Sequence, residues 1–173
     1  GQDVIPMAVE RSNGGLAICY STTSFSIGDS QIRLVFLDSL GNVESDHLFG
    51  GQDNEYAFDF HQTSDDGFII AGQTGSYGPQ EMFWSGWIVK TNSSGDSVWS
   101  LAISMPYADR AVTSIIETDD EYVALISNGA GGMDYGISLL RLSAEGDSLD
   151  ELRIRVYSSA DTLLQIYPGH LIR

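Results

Sequence analysis

Apolar and polar residues alternate with a period of two over short stretches of this chain. Nowhere do they sustain the 3.6-residue period of a three-turn helix, so the pattern predicts strands. In the middle of the sequence it predicts strands near Tyr56 to His61, Phe68 to Gln73, Phe83 to Lys90 and Ser97 to Ile103. Between them lie Ser64 to Gly67, Gly75 to Pro79 and Asn92 to Asp96, segments rich in Gly, Asp, Asn and Ser. These residues turn the chain because glycine reaches positive φ without steric cost and Asp, Asn and Ser bond their own backbone. The nearest approach to a helix, Arg110 to Asp119, carries Val112, Thr113, Ile115 and Ile116, and β-branching favours a strand there too.

The pattern repeats at about fifty residues, a period that marks repeat architectures. Gly1, Gln2 and Asp3 recur as Gly51, Gln52 and Asp53. Ser12 to Ile18 lines up with Ser64 to Ile70 and again with Thr118 to Ala124. The turn glycines Gly41, Gly95 and Gly146 supply an independent landmark at the same spacing. The expected units are residues 1–50, 51–105 and 106–159, with 160–173 opening a truncated fourth. At about four strands per unit, the count of a propeller blade, the expected fold is an all-β, propeller-type array of about three and a half blades and about fourteen strands.

The run Thr63 to Thr74, followed by Gly86 to Trp99, resembles the repeat of about fifty residues in secreted bacterial and archaeal β-propeller surface proteins. Its features are an acidic turn ending in Gly67, the apolar Phe68 to Ile70, then Trp87, Ile88, Val89, Lys90 and the turn before Trp99. Phe49, Gly50 and Gly51 match the Gly-Gly that often closes such a repeat. The first copy matches less closely. In the third, Glu121 replaces a glycine, Leu139 is aligned with Trp87, and Leu152 lies near the position of Trp99. The resemblance implies a surface scaffold or binding platform; a fold of this kind does not by itself specify an activity.

Charge narrows the partners. Twenty-four acidic residues against eight basic ones give a net charge of −16, and Lys90 is the one lysine. Nucleic acid and anionic membrane surfaces are repelled by such a surface. The lone Cys19 excludes an internal disulfide and a four-cysteine zinc site, and in its apolar run it reads as a small buried hydrophobe. No apolar stretch reaches the length of a membrane-spanning helix. The chain starts at Gly1 with no signal peptide, which suggests a processed polypeptide outside the cell or on its surface.

Candidate chemistry is sparse. His47, His61 and His170 are scattered, with no metal-binding histidine pair and no nucleophile elbow. The turns Asp65–Asp66 and Asp119–Asp120–Glu121 offer oxygen ligands to calcium but lack the spacing that wraps one ion, so no cofactor or metal is expected beyond that candidate. Tyr77, Phe83 and Trp84 flank a Gly/Pro-rich loop and are the candidates for stacking on a ligand or partner, although Phe83 and Trp84 also suit packing between blades. Trp87 and Trp99, at repeat positions, read as core spacers. No catalytic residue is singled out. In the terminal segment Leu163, Leu164, Ile166, Leu171 and Ile172 form a candidate assembly edge.

The expected function is therefore that of a non-catalytic extracellular structural, adhesion or binding module. It would assemble with copies of itself, as a ring dimer of about seven blades or a filament, or with the remainder of a longer chain. The alternative is part of a secreted propeller enzyme acting on carbohydrate.

Overall fold

The computed structural model describes residues 2–24, 29–78, 83–119, 121–129, 136–156 and 164–169. Among them there is no helix; thirteen strands form three antiparallel sheets. The first sheet runs β1 (Asp3–Glu10), β2 (Leu16–Thr22), β3 (Gln31–Leu37), β4 (Val43–Phe49), in that order across the sheet. The second runs β5 (Glu55–Gln62), β6 (Phe68–Thr74), β7 (Ser85–Thr91), β8 (Ser97–Ile103). The third runs β9 (Arg110–Glu117), β10 (Glu121–Asn128), β11 (Gly136–Ser143), β12 (Ser148–Val156) and adds β13 (Leu164–Gly169) outside β12. Within the described residues the terminal segment contributes one strand, which pairs with β12 as a fifth strand of the third sheet. The edge of β12 presents unpaired backbone groups, and an antiparallel return satisfies them at once.

Backbone irregularities repeat with the strands. Every first strand is bulged against its neighbour, at Val4/Met7, at Ala57/Asp59 and opposite Leu125/Ile126. Every outer pair is bulged beside its turn, at Phe36/Leu37, Lys90/Thr91 and Arg141/Leu142. A bulge shifts the pairing by one residue, so its recurrence fixes the structural equivalence of the sheets better than residue identity does. It also corrects one alignment. Trp87 pairs with Gly72, and the residue in the matching place of the third sheet is Ser138, opposite Ile126; Leu139 is one position on and turns to the other face.

The sheets stack through their first strands. β5 packs on β1, β2 and β3, and β9 packs on β5, β6 and β7. Each passage between sheets is made by the same backbone bond: the Glu55 N–H donates to the Ser30 carbonyl and the Arg110 N–H to the Trp84 carbonyl, both at 2.8 Å. The second sheet is apolar on both faces. Phe60, Phe68, Ile70, Trp87 and Val89 meet Cys19, Leu34 and Phe36 of the first sheet, with Phe36 and Phe68 rings 5.0 Å apart. Ile69, Ala71 and Ile88 meet Ile115, Tyr122, Ala124 and Leu140 of the third. Every residue of β7 is buried, which is why its sequence shows little alternation. Among the described residues, the first and third sheets each have one face in these cores and one face without a partner.

Each first strand begins with a charged residue held by its neighbour on the second strand. The Asp3 carboxylate accepts from the Thr22 hydroxyl at 2.5 Å and the Glu55 carboxylate from that of Thr74 at 2.8 Å, while Arg110 Nε donates to Asn128 at 2.9 Å. Arg110 is fully buried, and its guanidinium also reaches Ser138 and forms an ion pair with Glu151, so one polar line crosses four strands. Burial acts to raise the Glu151 pKa, yet the charges of Arg110 and Arg153 hold it below its ordinary value.

Candidate functional site

The loop singled out in the sequence borders a cleft of about 570 Å³ lined by Gly51, Asp53, Gly75, Ser76, Tyr77 and Gly78 among others. Tyr77 is 43% exposed. Its ring lies 5.3 Å from that of Trp87 and its hydroxyl donates to the Gly50 carbonyl at 2.9 Å, so one aromatic face is committed to the core and the other is open. Burial pushes the Tyr77 phenol up, with the nearby Glu55 carboxylate adding to the effect. Trp84 belongs to a different structure. Its ring packs 5.7 Å from Tyr56, its backbone N–H donates to the Asp109 carboxylate at 2.8 Å, and its carbonyl receives the Arg110 backbone N–H. It therefore ties the second sheet to the third, while Phe83 beside it is half-buried.

A larger cleft, about 700 Å³, opens at the other end of the second and third sheets, and no single stretch of sequence pointed to it. Both acidic turns border it, together with Lys90, Trp99, Tyr122 and the turn Ser143 to Glu145. Trp99 and Tyr122 meet edge to face with ring centroids 5.9 Å apart. The Trp99 N–H donates to the Ala144 carbonyl at 3.1 Å, so this tryptophan is half-buried, whereas Trp87 is only 5% exposed. Gly146 lies flat on the indole: a β-carbon there would come 2.7 Å from Cδ2, and its φ of +87° suits glycine. Gly95 covers His47 of the first sheet in the same way, and with φ +90°. The turns after β7 and β11 thus each seat on an aromatic ring in the outer strand of the preceding sheet.

Each acidic turn commits one carboxylate internally, Asp65 in the first and Glu121 in the second. Asp65 accepts two bonds from Lys90 Nζ at 2.8 and 3.0 Å, one from the Thr63 hydroxyl and one from the Gly67 N–H. Burial acts to raise its pKa, but these bonds outweigh it and hold the carboxyl at about 2. Glu121 makes a two-pronged pair with Arg141 at 2.8 Å, and Glu117 accepts from the Ser64 N–H and hydroxyl at 2.7 and 2.9 Å, latching the two turns together. Burial, with the Glu117 charge nearby, pushes the Tyr122 phenol up to about 12, so it stays neutral and donates. Asp120 lies outside the described residues. Among those described, no group of three or more His, Cys, Asp or Glu side chains is placed to hold a metal ion.

The histidines do not converge. His47 is half-buried 5.8 Å from Phe36, with its Nε2 buried and lacking a hydrogen-bond partner among the described residues; His61 is exposed, 3.0 Å from Asp59; His170 lies outside the described residues. Cys19 is fully buried and burial raises its thiol well above the ordinary range. Of the candidate edge residues, Leu164 and Ile166 fall on β13, while Leu163, Leu171 and Ile172 lie outside the described residues.

No protein-family model matches this chain, and a comparison with curated proteins gives no match.

Proposed function

We propose that this chain is a β-propeller-type repeat module, outside the cell or on its surface, that serves as a structural, adhesion or binding element and acts as an assembly instead of as a catalyst. The observation that carries this reading is the contrast between the middle sheet and its neighbours. The second sheet is sheathed on both faces by one repeated kind of junction, while the first and third each receive only one such junction. Repeat units of this sort bury their apolar faces only by stacking. The resemblance of Thr63 to Trp99 to secreted propeller repeats and the charge of −16 support the same reading. Light scattering at tens of micromolar tests it: the expected mass is a multiple of 18.8 kDa, and a stable, well-folded monomer refutes it.

One observation favours the carbohydrate-active alternative, namely the aromatic and carboxylate lining of the larger cleft, since aromatic faces stack on sugar rings. Release of reducing ends from an oligosaccharide panel, abolished by Asp119→Asn or Glu145→Gln, would establish it. No release with the assembled protein decides for the non-catalytic reading.

A further inference from the structure

We infer that the two unpartnered sheet faces are complementary halves of one more junction, and that a second copy of this chain fills both, giving a closed ring of two copies. The inference rests on the reading of the chain as an assembling repeat module.

The register carries the argument. Toward the third sheet, the second presents the cross-strand rows Asp59–Ala71–Ile88–Leu101 and Tyr56–Gln73–Gly86–Ile103. The equivalent rows of the third sheet are Ser114–Leu125–Leu139–Leu152 and Ala111–Ser127–Ile137–Ile154; apart from Ser114, whose hydroxyl reaches back to Asp59 of the second sheet, these lie on its uncovered face. They are as apolar as the rows they match, yet Leu125, Leu139 and Leu152 are only half-buried and Ile137 is 40% exposed, whereas Ala71 and Ile88 are fully buried.

The first sheet shows the converse. Toward it the second sheet presents Phe68 with Thr91, and the row Phe60–Ile70–Val89–Ser100. The equivalents are Leu16 with Leu37, and Ala8–Ile18–Val35–Asp46, again on the face without a partner. Leu16 is 41% exposed, and Val43, in line with it on β4, is 66% exposed. The third sheet therefore ends in the face that receives, and the first begins with the face that is received. Such surfaces fit each other and not themselves, which makes the contact head-to-tail.

Size selects the closed form. Strands about 4.8 Å apart rising about 3.3 Å per residue give each four-stranded face about 400 Å² in projection. One junction falls short of the roughly 800 Å² per partner found in stable interfaces, whereas a ring of two copies forms both junctions at once and reaches it. Two copies bring about six sheets, within the range of about four to eight that closes a propeller.

The test is the solution mass of the whole chain with one face blocked at a time. Leu16→Glu on the first sheet and Ile137→Glu on the third place a charge on each face at residues already exposed. Each variant alone is expected to weaken the dimer by at least about a hundredfold, because a two-copy ring uses both faces at every junction. Leu40→Glu, at a turn residue 86% exposed, should leave the mass unchanged. A dimer lost in only one of the two face variants means a self-matched contact and overturns the inference, as does a dimer that survives both. A mass well above two copies, indicating a filament, also overturns it. A wild-type monomer defeats the assembly reading itself, so the two failures are distinct. Circular dichroism must show the parent spectrum for each variant; if either misfolds, Ile18→Glu and Leu139→Glu replace them on the same faces, with the same outcomes.

Discussion

Replacing Trp87 with alanine removes the indole that fills the space between the first two sheets. The side chain is 5% exposed, lies in the core with Phe60, Phe68 and Val89, and supports the Tyr77 ring at 5.3 Å. A tryptophan buries about 200 Å², worth about 5 kcal/mol at about 25 cal/mol per Å², an upper figure because the unfolded chain already hides some of that surface. Substitutions of this kind cost about 3 to 5 kcal/mol, so about 4 is expected here. For a domain of this size that corresponds to a fall in Tm of about 8 to 16 °C. Trp99 is half-buried and its N–H bond to Ala144 is at the surface, so Trp99→Ala should cost about 2 kcal/mol. Urea melts followed by circular dichroism, at one fixed protein concentration so that association does not shift the midpoint, measure both. A Trp87→Ala variant no less stable than Trp99→Ala would refute the assignment of Trp87 to the inter-sheet core.

Other outcomes follow from the polar contacts and the turns. Because the Asp65 carboxyl is held at about 2 in the folded state against 3.8 ordinarily, it stabilises the fold above about pH 4, and that stability is lost as the pH falls toward 2. Asp65→Asn should flatten this part of an acid titration of Tm and cost about 2 kcal/mol at neutral pH by leaving buried Lys90 without its carboxylate. Glu151→Gln strands the Arg110 charge in the interior and should cost about 3 kcal/mol in a denaturant melt. Gly146→Ala pushes a methyl into Trp99 and strains a positive φ, for a loss of about 2 kcal/mol and a blue or red shift of tryptophan emission. Cys19 should react with a thiol reagent only in denaturant, and labelling of the native protein would contradict its burial.

The strands of the second sheet were legible to within two residues because its turns, Ser64 to Gly67 and Asn92 to Asp96, advertise themselves and its apolar runs are short. Leu139 shows where such reading stops. Aligned by sequence it takes the place of Trp87, but the bulge at Arg141/Leu142 and the pairing of Ser138 with Ile126 put it on the opposite face. A one-residue shift of register is invisible in composition and reverses every side chain. Tyr77 and Trp84 stand on one loop in the sequence, yet one borders a cleft and the other anchors the passage between sheets. The larger cleft escaped because its residues come from turns of two sheets, Ser64 and Asp65 on one side and Glu117 to Tyr122 on the other. Both acidic turns were visible as carboxylates, but the Lys90 and Arg141 that occupy them were not visible as partners.

Asp3, Glu55 and Arg110 stand at one structural position, the first two as carboxylates and the third as a cation, and this bears on how a chain of look-alike units avoids misassembly. Strands of similar sequence invite exchange, since β5 and β9 could each seek the other's place during folding. In the position of Arg110, Glu55 would come up against Glu151, a like charge in a dry setting; in the position of Glu55, Arg110 would meet the Thr74 hydroxyl and the N–H donors of Gly51 and Ser76, a site built for an anion. Either error buries an unpaired charge, at several kcal/mol. The first residue of β9 thus works as an address label that sets the third sheet apart from the other two, where the apolar faces alone would not.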